Sequence, residues 1–524
     1  MSSNRVFRLA WLILPLMLAA CSQQSEKNTP VAESRRYTDI VIIMADDMGY
    51  SDLGCYGSEI HTPHLDSLAA SGLRSTRFYN NAKCYPSRAS LLTGMYPHKT
   101  GLGRHILHLN KPKEATGPFQ GWLSEGTITI AEALKTRPYK SYMSGKWHVG
   151  ENPEDWPLKR GFDGYFGLIS GASSYYEIIG GQKRVRQMVL ENELWTPPDS
   201  GFYLTDAISD YAAKRIETAP LDSGLFIYVA YTAPHWPLHA LEEDIQKYEG
   251  IYDVGWDTIR QRRLDKMKAL NLVKSPSQLS PKPGSIPNWE SVGNKQEWAR
   301  KMAVYAAMID RMDQGVGRIV KALKKRGNFE NTLIIFLSDN GASSENIAGR
   351  KLHNPKATIG SRGSYLSYEE PWANVSNAPF LRYKLELEEG GIATPLIASW
   401  PKLIEPRYIN DHYIGHISDF FPTIMDITAT DLSQDYVTEI DGKSMMPLFT
   451  GAASFGHDTL FWEYQNRKAI MARNWKLIQG KSGAWKLYDL STDRIEQQDL
   501  SLVYPDKVDS LAKSYQQWTE KIGI

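Results

Sequence analysis

Four short apolar runs recur along this sequence, and each of them stops abruptly at charged or polar residues. The runs are rich in β-branched and aromatic side chains, which favour extended backbone buried on both faces. Each run is therefore predicted to be a buried strand that carries polar side chains at its carboxyl end. In chain order they are DIVIIMA before Asp46 and Asp47, YKSYMSG before Lys146 and His148, LFIYVAYTAP before His235, and NTLIIFLS before Asp339 and Asn340.

Segments with helical spacing separate the predicted strands. One covers His64 to Ser71, and a longer one, from about Gln296 to Arg326, has apolar residues every three or four positions. Gly327 is suited to end the long helix, and Gly315 and Gly317 are two candidate interruptions. The alternation predicts an α/β fold with a large central sheet, mostly parallel but mixed, flanked by helices. Ligands are expected in the crevice beyond the carboxyl ends of its strands.

The chain changes character at about Gly456. From there, TLFWEY, KAIMARNWKLIQ and AWKLYDL are short strand-like runs split by turns. They predict a smaller C-terminal α+β domain on an antiparallel sheet, so residues 37–455 are assigned to the large domain and residues 456–524 to the small one. Two stretches are predicted to be long loops, one from Lys274 and one from Asn346 to Asn377. Loops of that length in compact proteins are usually functional or mobile.

The first 21 residues have the pattern of a secretion signal. Arg5 and Arg8 precede an apolar run from Leu9 to Ala20, which is too short for a comfortable membrane span. The run ends in LAAC, which resembles the lipobox of bacterial lipoproteins, so Cys21 is predicted to be the lipidated first residue of the mature chain. A plain signal peptide cleaved nearby is the alternative. Residues 22–36 are predicted to be a flexible tether.

These features predict where the protein is found. A lipidated Cys21 implies an exported bacterial lipoprotein, held by its lipid anchor at a membrane in the periplasm or at the outer membrane or cell surface. The charge balance argues against nucleic acid as a partner, because 60 basic and 59 acidic side chains give a formal net charge of only +1. Any anion must therefore bind at a local site.

The chain has three cysteines, and they stand in different surroundings. If Cys21 carries lipid, only Cys55 and Cys84 remain in the folded part. Cys55 lies in the turn-rich stretch DLGCYG and is predicted to be a small structural thiol. Cys84, in NAKCYPSRASLLTG, needs a different explanation.

Two pairs of residues at predicted strand ends are candidate metal ligands. Asp46 and Asp47 follow one strand, and Asp339 and Asn340 follow another, so they supply four side-chain oxygens. Such a set suits calcium or magnesium rather than zinc or copper. Asp-Asp and Asp-Asn-Gly are also common turn formers, which would be the simpler explanation for either pair alone. Two pairs in the same context predict a metal site.

A second set of side chains could donate hydrogen bonds to an anion. A tetrahedral oxyanion such as sulfate or phosphate needs several fixed donors, and removing one costs on the order of 3 kcal/mol of transition-state stabilisation. Taken singly, each side chain of this set has a simpler explanation, as a solvated surface charge or as a structural histidine. The set consists of Arg88, Lys146, His148, His235 and Lys384.

The segment around Cys84 resembles the signature of an enzyme family. CYPSRASLLTG is similar to Cys-x-Pro-Ser-Arg followed by Leu-Thr-Gly, the signature of the formylglycine-dependent type I sulfatases of the alkaline phosphatase superfamily. Further segments match that family in the same order from about Tyr37 to the end of the chain, most closely its bacterial arylsulfatase branch, and such an ordered series is highly specific. They are ADDMGYSDLGCYG, TPHLDSLAASG, GKWHVG, APHWPLHA, SDNGAS, EEGGIATPLIASWP and NWKLI followed by LYDL.

The resemblance implies two cofactors. Cys84 would be oxidised after translation to formylglycine by a formylglycine-generating or radical maturation enzyme. One calcium ion would be held together with residue 84. The ligands implied for it are Asp46, Asp47, Cys84 in its modified form, Asp339 and Asn340.

The resemblance also implies a role for each candidate donor. Arg88 would stabilise the aldehyde hydrate, and His148 would orient it and help to expel sulfate. Lys146 and Lys384 would hold the sulfate, which His235 would also contact. Lys146, Lys384 and His235 are all open as the acid that protonates the leaving group.

The implied reaction is hydrolysis of sulfate monoesters, either aryl sulfates or sulfated carbohydrates, to an alcohol or phenol and inorganic sulfate. One hydroxyl of the hydrate attacks sulfur, and the second then loses its proton while the covalent sulfate is eliminated. A serine would lack the second hydroxyl. The acidic run LELEE after Lys384 departs from the family pattern, and Glu386, Glu388 or Glu389 would face away or shape the leaving-group pocket.

Two other functions fit parts of the sequence. A phosphonate or phosphate ester hydrolase of the same superfamily would use the same cation, aldehyde hydrate and donors. A non-catalytic surface lipoprotein that binds sulfated glycans belongs to a different class. It would need neither a nucleophile nor a cation, so the presence of both metal pairs, Cys84 and all the donors argues against it.

Overall fold

The apolar runs of the sequence form the middle of a ten-stranded sheet. The computed structural model describes residues 37–104, 117–178, 180–181, 184–274, 277–350, 352–432 and 439–524. Its strands are β1 (Asp39–Ala45), β2 (Leu73–Ser75), β3 (Phe78–Tyr79), β4 (Tyr139–Gly145), β5 (Gly164–Leu168), β6 (Gly180–Gly181), β7 (Arg184–Val185), β8 (Met188–Leu190), β9 (Glu193–Trp195), β10 (Gly224–Ala230), β11 (Thr332–Ser338), β12 (Leu396–Ser399), β13 (Tyr408–Asn410), β14 (Gly415–His416), β15 (Thr459–Tyr464), β16 (Arg467–Ala472), β17 (Trp475–Gln479) and β18 (Trp485–Asp489).

The order across the large sheet is β13-β2-β12-β11-β1-β10-β4-β5-β8-β9. The five central strands, β11-β1-β10-β4-β5, are all parallel, and β1 is in register with both neighbours, since Ile42 pairs with Tyr228 on one side and Ile335 on the other. Antiparallel pairs flank this centre on both sides. The predicted mixed, mostly parallel sheet is therefore confirmed. Four of the five central strands, β11, β1, β10 and β4, are the four predicted runs.

Helices flank the sheet. They are α1 (Pro63–Ala70), α2 (Cys84–Thr93), α3 (Ile130–Ala133), α4 (Leu204–Thr218), α5 (Glu242–Ile245), α6 (Gly255–Ala269), α7 (Lys295–Arg326), α8 (Glu369–Ser376), α9 (Glu389–Ile392), α10 (Phe420–Thr428), α11 (Met446–Phe449) and α12 (Pro505–Ile522). Helix α7 matches its predicted range, and Gly327 caps it with φ of 78°.

The two glycines inside α7 do not interrupt it. A Cβ on Gly315 would lie 2.1 Å from Ser209 Oγ, and one on Gly317 would lie 2.5 Å from the ring of His64. Helices α1 and α4 can pack closely on α7 because these positions lack side chains. The glycines therefore serve packing, and the surrounding tertiary contacts outweigh their poor helix propensity.

The predicted loop from Asn346 to Asn377 contains one helix, α8. Glu369 and Glu370 lie in its first turn, where they favour the helix dipole, and Trp372 and Val375 are buried on its inner face. Burial of this short apolar face stabilises about two turns of helix that have no long periodic pattern in the sequence. The expectation of an irregular loop across the whole stretch is thus wrong for residues 369–376.

The C-terminal part contains the expected small antiparallel sheet, β15-β16-β17-β18. Helix α12 packs on it, with Trp518 stacked on Phe461 at a centroid distance of 5.0 Å. Residues 36–524 form one compact unit, and the division at residue 455 stays a prediction. Cys21 and the tether lie outside the described residues, within which no helix has the length and apolarity needed to cross a bilayer.

Candidate active site

The carboxyl ends of β11, β1, β10 and β4 meet in one place and bring the four predicted polar endings together. Backbone hydrogen bonds continue between the strands just past their ends. The amide of Asp46 donates to Ala233 O (3.0 Å), that of Asp339 to Ala45 O (3.2 Å), and that of Lys146 to Ala230 O (2.7 Å). These bonds fix the first polar residue after each strand, so the sheet itself positions the site.

The two candidate metal pairs lie against each other and are buried. The backbone amide of Asp47 donates to Asp339 Oδ1 (3.2 Å), and Asn340 Nδ2 donates to Asp47 Oδ1 (2.7 Å). Asp47 has φ of 63°, a left-handed conformation that turns the chain so that neighbouring carboxylates face the same space. The sequence prediction that these four residues converge is therefore met by the geometry.

Buried oxygens without hydrogen-bond partners show that this group fits a hard cation. Asp46 Oδ1 and Asn340 Oδ1 are buried acceptors to which none of the described residues donates a hydrogen bond. Ligand atoms of Asp46, Cys84 and Asp339 all lie within 4.8 Å of one another, and Asp46, Asp47 and His235 form a second such group. Oxygens concentrated in this way without enough donors are what calcium or magnesium binds.

Cys84 is the first residue of α2, and it is buried. The helix therefore begins at the cysteine itself. It can do so because Pro86 lies in the first turn, where an amide hydrogen has no partner within the helix and its loss costs little. The helix ends at Gly94, with φ of 73°. Residue 84 thus lies at the positive end of the helix dipole, which favours an anion.

Arg88 lies one helical turn after Cys84 and holds the acidic group in place. Its Nε and Nη2 donate to Asp339 Oδ2 at 3.1 and 2.7 Å, and its Nη1 donates to the backbone oxygen of Lys146 at 3.0 Å. Burial acts to lower the pKa of Arg88, but the surrounding acidic groups raise it above its ordinary value. The guanidinium therefore stays charged and joins three elements of the site.

Lys146 and Lys384 are buried and each forms an ion pair with one of the adjacent aspartates. Lys146 Nζ donates to Asp46 Oδ2 and Lys384 Nζ to Asp47 Oδ2, both at 2.6 Å. The ordinary alternative, a solvated surface charge, is wrong for both lysines. Both ammonium groups instead border the space beside Cys84, where they can meet a second anion.

The two adjacent carboxyls differ in electrostatics. Burial raises the pKa of Asp46 to about 7, helped by Asp339 and opposed by Lys146. Burial also acts to raise the pKa of Asp47, but Lys384 and His235 outweigh it and hold that pKa below its ordinary value. For Lys384, burial acts to lower the pKa and Asp47 with Glu345 raise it well above normal.

The two histidines border the same space in different ways. His235 Nδ1 lies 2.6 Å from Trp236 O and therefore donates to it, and its Nε2 lies 3.4 Å from Asp47 Oδ2. Burial, with Lys384 and Lys146, lowers the pKa of His235 to about 3. His148 has φ of 59°, and its ring meets that of Tyr85 edge-on at a centroid distance of 5.8 Å.

The acidic run after Lys384 turns away from the site. Glu386 accepts from Arg467 Nε and Nη2, both at 2.7 Å. Glu389 is buried and accepts from Lys476 Nζ (3.0 Å) and Arg494 Nη2 (2.7 Å). These partners belong to the C-terminal part of the chain, so the run anchors the Lys384 loop to that sheet and does not face the anion.

Three further side chains near the site were missed from the sequence. Lys83 is the N-cap of α2 and adds positive charge beside Lys384, and its place before Cys84 was an available signal. Glu345 lies 3.5 Å from Lys384 Nζ, and no sequence pattern pointed to it. Tyr464, on β15, shares a hydrogen bond of 3.0 Å with Tyr85, and only the packing of the C-terminal sheet brings it there.

Comparisons with known proteins agree with this geometry. A family model described as Sulfatase matches residues 38–430, and one described as N-sulphoglucosamine sulphohydrolase, C-terminal, matches residues 383–521. An uncharacterized sulfatase of Schizosaccharomyces pombe is 32% identical over 531 residues, covering 94% of this chain and 95% of that protein. An arylsulfatase of Klebsiella aerogenes is 32% identical over 433 residues, covering 79% of this chain and 91% of that protein.

A solved structure shares both the large sheet and the small one. It is that of Ps i-CgsB in complex with k-i-k-neocarrahexaose, which superposes with a TM-score of 0.69 at 25% identity and covers 92% of this chain and 93% of its own. The first family model alone covers Cys84, both metal pairs and every candidate donor. The chain belongs to the type I sulfatase family, and it is a sulfuric ester hydrolase.

Proposed function

We propose that this sulfatase hydrolyses sulfate monoesters through a formylglycine at residue 84, with one calcium ion bound beside it. One observation carries the proposal. The sulfur of Cys84 lies within 4.8 Å of carboxylate oxygens of Asp46 and Asp339, at the start of a helix and next to two buried lysines. A structural cysteine gains nothing from such surroundings, whereas a nucleophile that attacks a sulfate group needs each of them.

The ligands proposed for calcium are Asp46, Asp47, Asp339, Asn340 and modified residue 84. When bound, the cation supplies positive charge that makes a neighbouring hydroxyl more acidic. The aldehyde supplies, as its hydrate, a nucleophile with a second hydroxyl for releasing sulfate. Arg88 is proposed to hold Asp339 and the strand end of Lys146 in register, so that the oxygens converge on one point.

The remaining side chains are proposed to act on the ester itself. Lys146 and Lys384 are each fixed by a different aspartate and would bind two sulfate oxygens. His235 would contact the sulfate through Nε2, because its Nδ1 is engaged by Trp236 O. His148, held against Tyr85, would orient the hydrate and take part in expelling sulfate. The acid for the leaving group is proposed to be one of Lys146, Lys384 and His235.

Sulfated carbohydrate is the substrate class that we favour over simple aryl sulfates. Ps i-CgsB, a structural relative at 25% identity, was solved in complex with k-i-k-neocarrahexaose. The second family model takes its name from N-sulphoglucosamine sulphohydrolase and covers residues 383–521 of this chain. Both observations favour a sugar-bearing leaving group.

A phosphonate or phosphate ester hydrolase is the second candidate, because the same cation and donors suit either oxyanion. Rates on an aryl sulfate, an aryl phosphate and an aryl phosphonate, measured with one preparation, distinguish the two. We expect the highest kcat/KM on the sulfate. A higher value on the phosphonate would overturn the sulfatase assignment of the site. The non-catalytic lipoprotein has no support, since the family is one of hydrolases.

The modification is tested by mass spectrometry of the peptide that contains residue 84, isolated from an active preparation. An aldehyde in place of the thiol is expected, and activity with wholly unmodified Cys84 would overturn the mechanism. Cys84→Ala should abolish turnover. Cys55→Ala is the matched control, because Cys55 is also a free thiol but lies outside the site, and it should retain activity.

We also propose that a formylglycine-generating or radical maturation enzyme acts on Cys84 and that Cys21 carries a lipid anchor. The chain would then be an exported lipoprotein at a membrane of the periplasm or cell surface. Labelling of cells with a fatty-acid probe should mark the wild-type protein and leave Cys21→Ser unmarked and released from membranes. Equal labelling of both proteins would remove the lipoprotein proposal and leave the catalytic one unaffected.

A further inference from the structure

Two arginines and two aromatic rings form a cluster at the side of the reaction pocket. We call Arg186, Arg350, Trp236 and Tyr365 the rim cluster. Trp236 follows His235, and their ring centroids lie 4.4 Å apart. Its Nε1 donates to Glu345 Oε2 at 2.9 Å, and the same carboxylate oxygen lies 3.5 Å from Lys384 Nζ. The rim cluster is therefore joined to the site through both His235 and Lys384.

The arginines come from two different parts of the chain. Arg350 lies over Trp236, with Cζ 4.3 Å from the ring centroid, and Tyr365 meets Trp236 at 6.2 Å. Arg186 approaches from the side of His148. The backbone amide of Ile169 donates to Gln187 O (2.9 Å), and that of His148 donates to Ile169 O (3.0 Å).

Neither guanidinium of the rim cluster meets an acid in the described part of the chain. Several other buried or half-buried arginines have close carboxylate partners, whereas the buried Arg260 donates to oxygens of Asn374 and Ser280. Arg263 lies 2.6 Å from Asp52, Arg311 lies 2.7 Å from Asp206, and Arg300 lies 2.6 Å from Glu242. Burial and the nearby charge of Arg350 lower the pKa of Arg186, as expected for two like charges brought together without a counter-ion.

A bound anion would supply the counter-ion that the two guanidinium groups lack among the described residues. Two guanidinium groups can donate several charge-assisted hydrogen bonds to one sulfate or carboxylate. Trp236 is fixed by its hydrogen bond to Glu345, so the guanidinium above it needs little further ordering. The position next to His235 means that such an anion would belong to the same molecule as the ester in the pocket.

We propose that the rim cluster binds a second anionic group of the substrate, a sulfate or a carboxylate, so that the preferred substrate is an oligosaccharide with a further anion close to the sulfate that is removed. This inference rests on the proposed function, because it needs a sulfate ester bound beside Cys84. It assigns substrate specificity to Arg186, which precedes β8, and to Arg350, which follows β11.

The test compares substrates that differ only in the second anion. The full chain, matured to the aldehyde and supplied with calcium, is assayed on p-nitrophenyl sulfate, a monosulfated disaccharide, its disulfated form, and a form in which a uronate carboxylate replaces the second sulfate. Arg186→Gln combined with Arg350→Gln should lower kcat/KM on doubly anionic substrates by about tenfold or more, as expected for loss of charge-assisted hydrogen bonds. Comparing kcat/KM on the uronate form and the disulfated form shows whether carboxylate or sulfate is preferred as the second anion.

p-Nitrophenyl sulfate has no second anion, so its kcat/KM should stay within about twofold of wild type. Arg362→Gln is the matched control, since Arg362 is also exposed but donates to the backbone oxygen of Asp199 (2.9 Å). It should leave all four rates unchanged. Equal losses on all substrates, or no loss on the doubly anionic ones, would overturn the inference.

A binding measurement separates this inference from the proposed function. Calorimetric titration of the disulfated disaccharide into Cys84→Ala, which cannot be matured, should give weaker binding when Arg186→Gln and Arg350→Gln are added to that variant. If the wild-type enzyme hydrolyses no sulfate ester, the proposed function fails, but this titration still decides on the rim cluster. Unchanged affinity there would reject the cluster as an anion site.

Discussion

The hydrogen bonds of the single residue Asp47 show how the side chains of the site are fixed in place. Its Oδ2 accepts from Lys384 at 2.6 Å, its Oδ1 accepts from Asn340 at 2.7 Å, and its amide donates to Asp339 at 3.2 Å. All of these groups are buried, so each interaction acts with little screening by solvent. A substitution here would therefore disturb the proposed cation ligands and the proposed sulfate-binding residue Lys384 together.

Replacing Lys384 by Met tests its proposed contact with sulfate at nearly constant side-chain volume. The loss of one charged donor to the transition state should lower kcat/KM on p-nitrophenyl sulfate by about two to three orders of magnitude. Lys247→Met is the control, because Lys247 is partly exposed and pairs with Asp244 at 2.7 Å, and steady-state kinetics should find kcat/KM unchanged. Similar rates for Lys384→Met and wild type would remove Lys384 from the sulfate site.

His239 gives a pH dependence of stability that is separate from catalysis. Its Nε2 is bonded to Ser364 O, and its Nδ1 accepts from Ser174 Oγ (3.2 Å) and the amide of Tyr175 (3.4 Å). Burial lowers its pKa from 6.5 to about 4. The unfolded chain therefore takes up this proton first, and the contribution of the neutral ring to stability is complete above pH 6.5 and is lost as the pH falls towards 4.

The free energy of unfolding should accordingly decrease between pH 6.5 and 4, by about 3 kcal/mol from this group. His239→Gln cannot take up the proton, so its stability should fall less steeply with pH across that interval. Urea unfolding at a series of pH values measures both slopes. Parallel slopes for the two proteins would mean that His239 does not titrate as described.

At the scale of elements, the C-terminal sheet holds the loop that carries Lys384. Arg467 on β16 binds Glu386, and Lys476 on β17 binds Glu389 at the start of α9. Lys476 and Glu389 are fully buried in a network that also contains Arg494 and Glu496, so removing either one would unbalance buried charge. The small sheet thus contributes to the site by positioning, although its described residues supply no proposed ligand or donor.

Breaking the pair between Arg467 and Glu386 should move Lys384 and lower kcat/KM. Arg467→Ala and Glu386→Ala are each expected to lower it, and the double variant should be little worse than either single one, because both remove the same contact. The coupling free energy should be about 1–2 kcal/mol. The double-mutant cycle is measured from kcat/KM on p-nitrophenyl sulfate, and urea unfolding checks the stability of each variant. Fully additive losses would show that the pair does not position the loop.

Helix α7 offers a matched pair of glycine substitutions. Helix propensity alone predicts that glycine to alanine stabilises the protein by about 1 kcal/mol. At Gly315 the new Cβ would meet the buried Ser209 Oγ at 2.1 Å and Tyr231 OH at 2.6 Å, so Gly315→Ala should instead destabilise by about 1–3 kcal/mol. Gly317→Ala meets only the exposed ring of His64, which can move away, and should be nearly neutral.

Thermal unfolding of the two variants measures this difference. A higher unfolding temperature for Gly315→Ala than for Gly317→Ala would contradict the close packing of α4 on α7. The comparison is internal to one helix, so differences in unfolded-state entropy largely cancel.

For the whole molecule, the proposed cation site would make the free energy of unfolding depend on bound metal. Asp46, Asp47 and Asp339 are buried together at the ends of two adjacent strands, and a bound divalent cation would neutralise part of their mutual repulsion. A ligand that binds only the folded state stabilises it by mass action. The unfolding of the whole compact unit should therefore respond to calcium, and not only the rate of turnover.

Treatment with a chelator should abolish turnover and lower the unfolding temperature, and added calcium should restore both. Asp339→Ala should lose turnover and the calcium-dependent shift in unfolding temperature. Asp310→Ala is the control, since Asp310 is also buried but pairs with Lys247 and Tyr248, and its calcium response should persist. Full activity in both the chelated enzyme and Asp339→Ala would exclude the cation from the mechanism.

The sequence determined the strand ends and the nature of their polar residues. Apolar β-branched runs, each followed by one or two candidate ligands or donors, specified a parallel sheet with chemistry at one edge, because parallel strands deliver their carboxyl ends to the same side. The ordered motifs specified the family. Both are local properties, which a contiguous segment carries without help from the rest of the chain.

Only the tertiary structure decided the contacts between distant segments. Sequence cannot show that Lys146 and Lys384 are paired with aspartates rather than solvated, that LELEE turns towards the C-terminal sheet, or that Arg186 and Arg350 lie near each other at the pocket. The continuity of α7 through Gly315 and the helix α8 were likewise decided by packing. The physical reason is that burial and electrostatic pairing depend on which surfaces meet, and this is a property of the whole fold rather than of any segment.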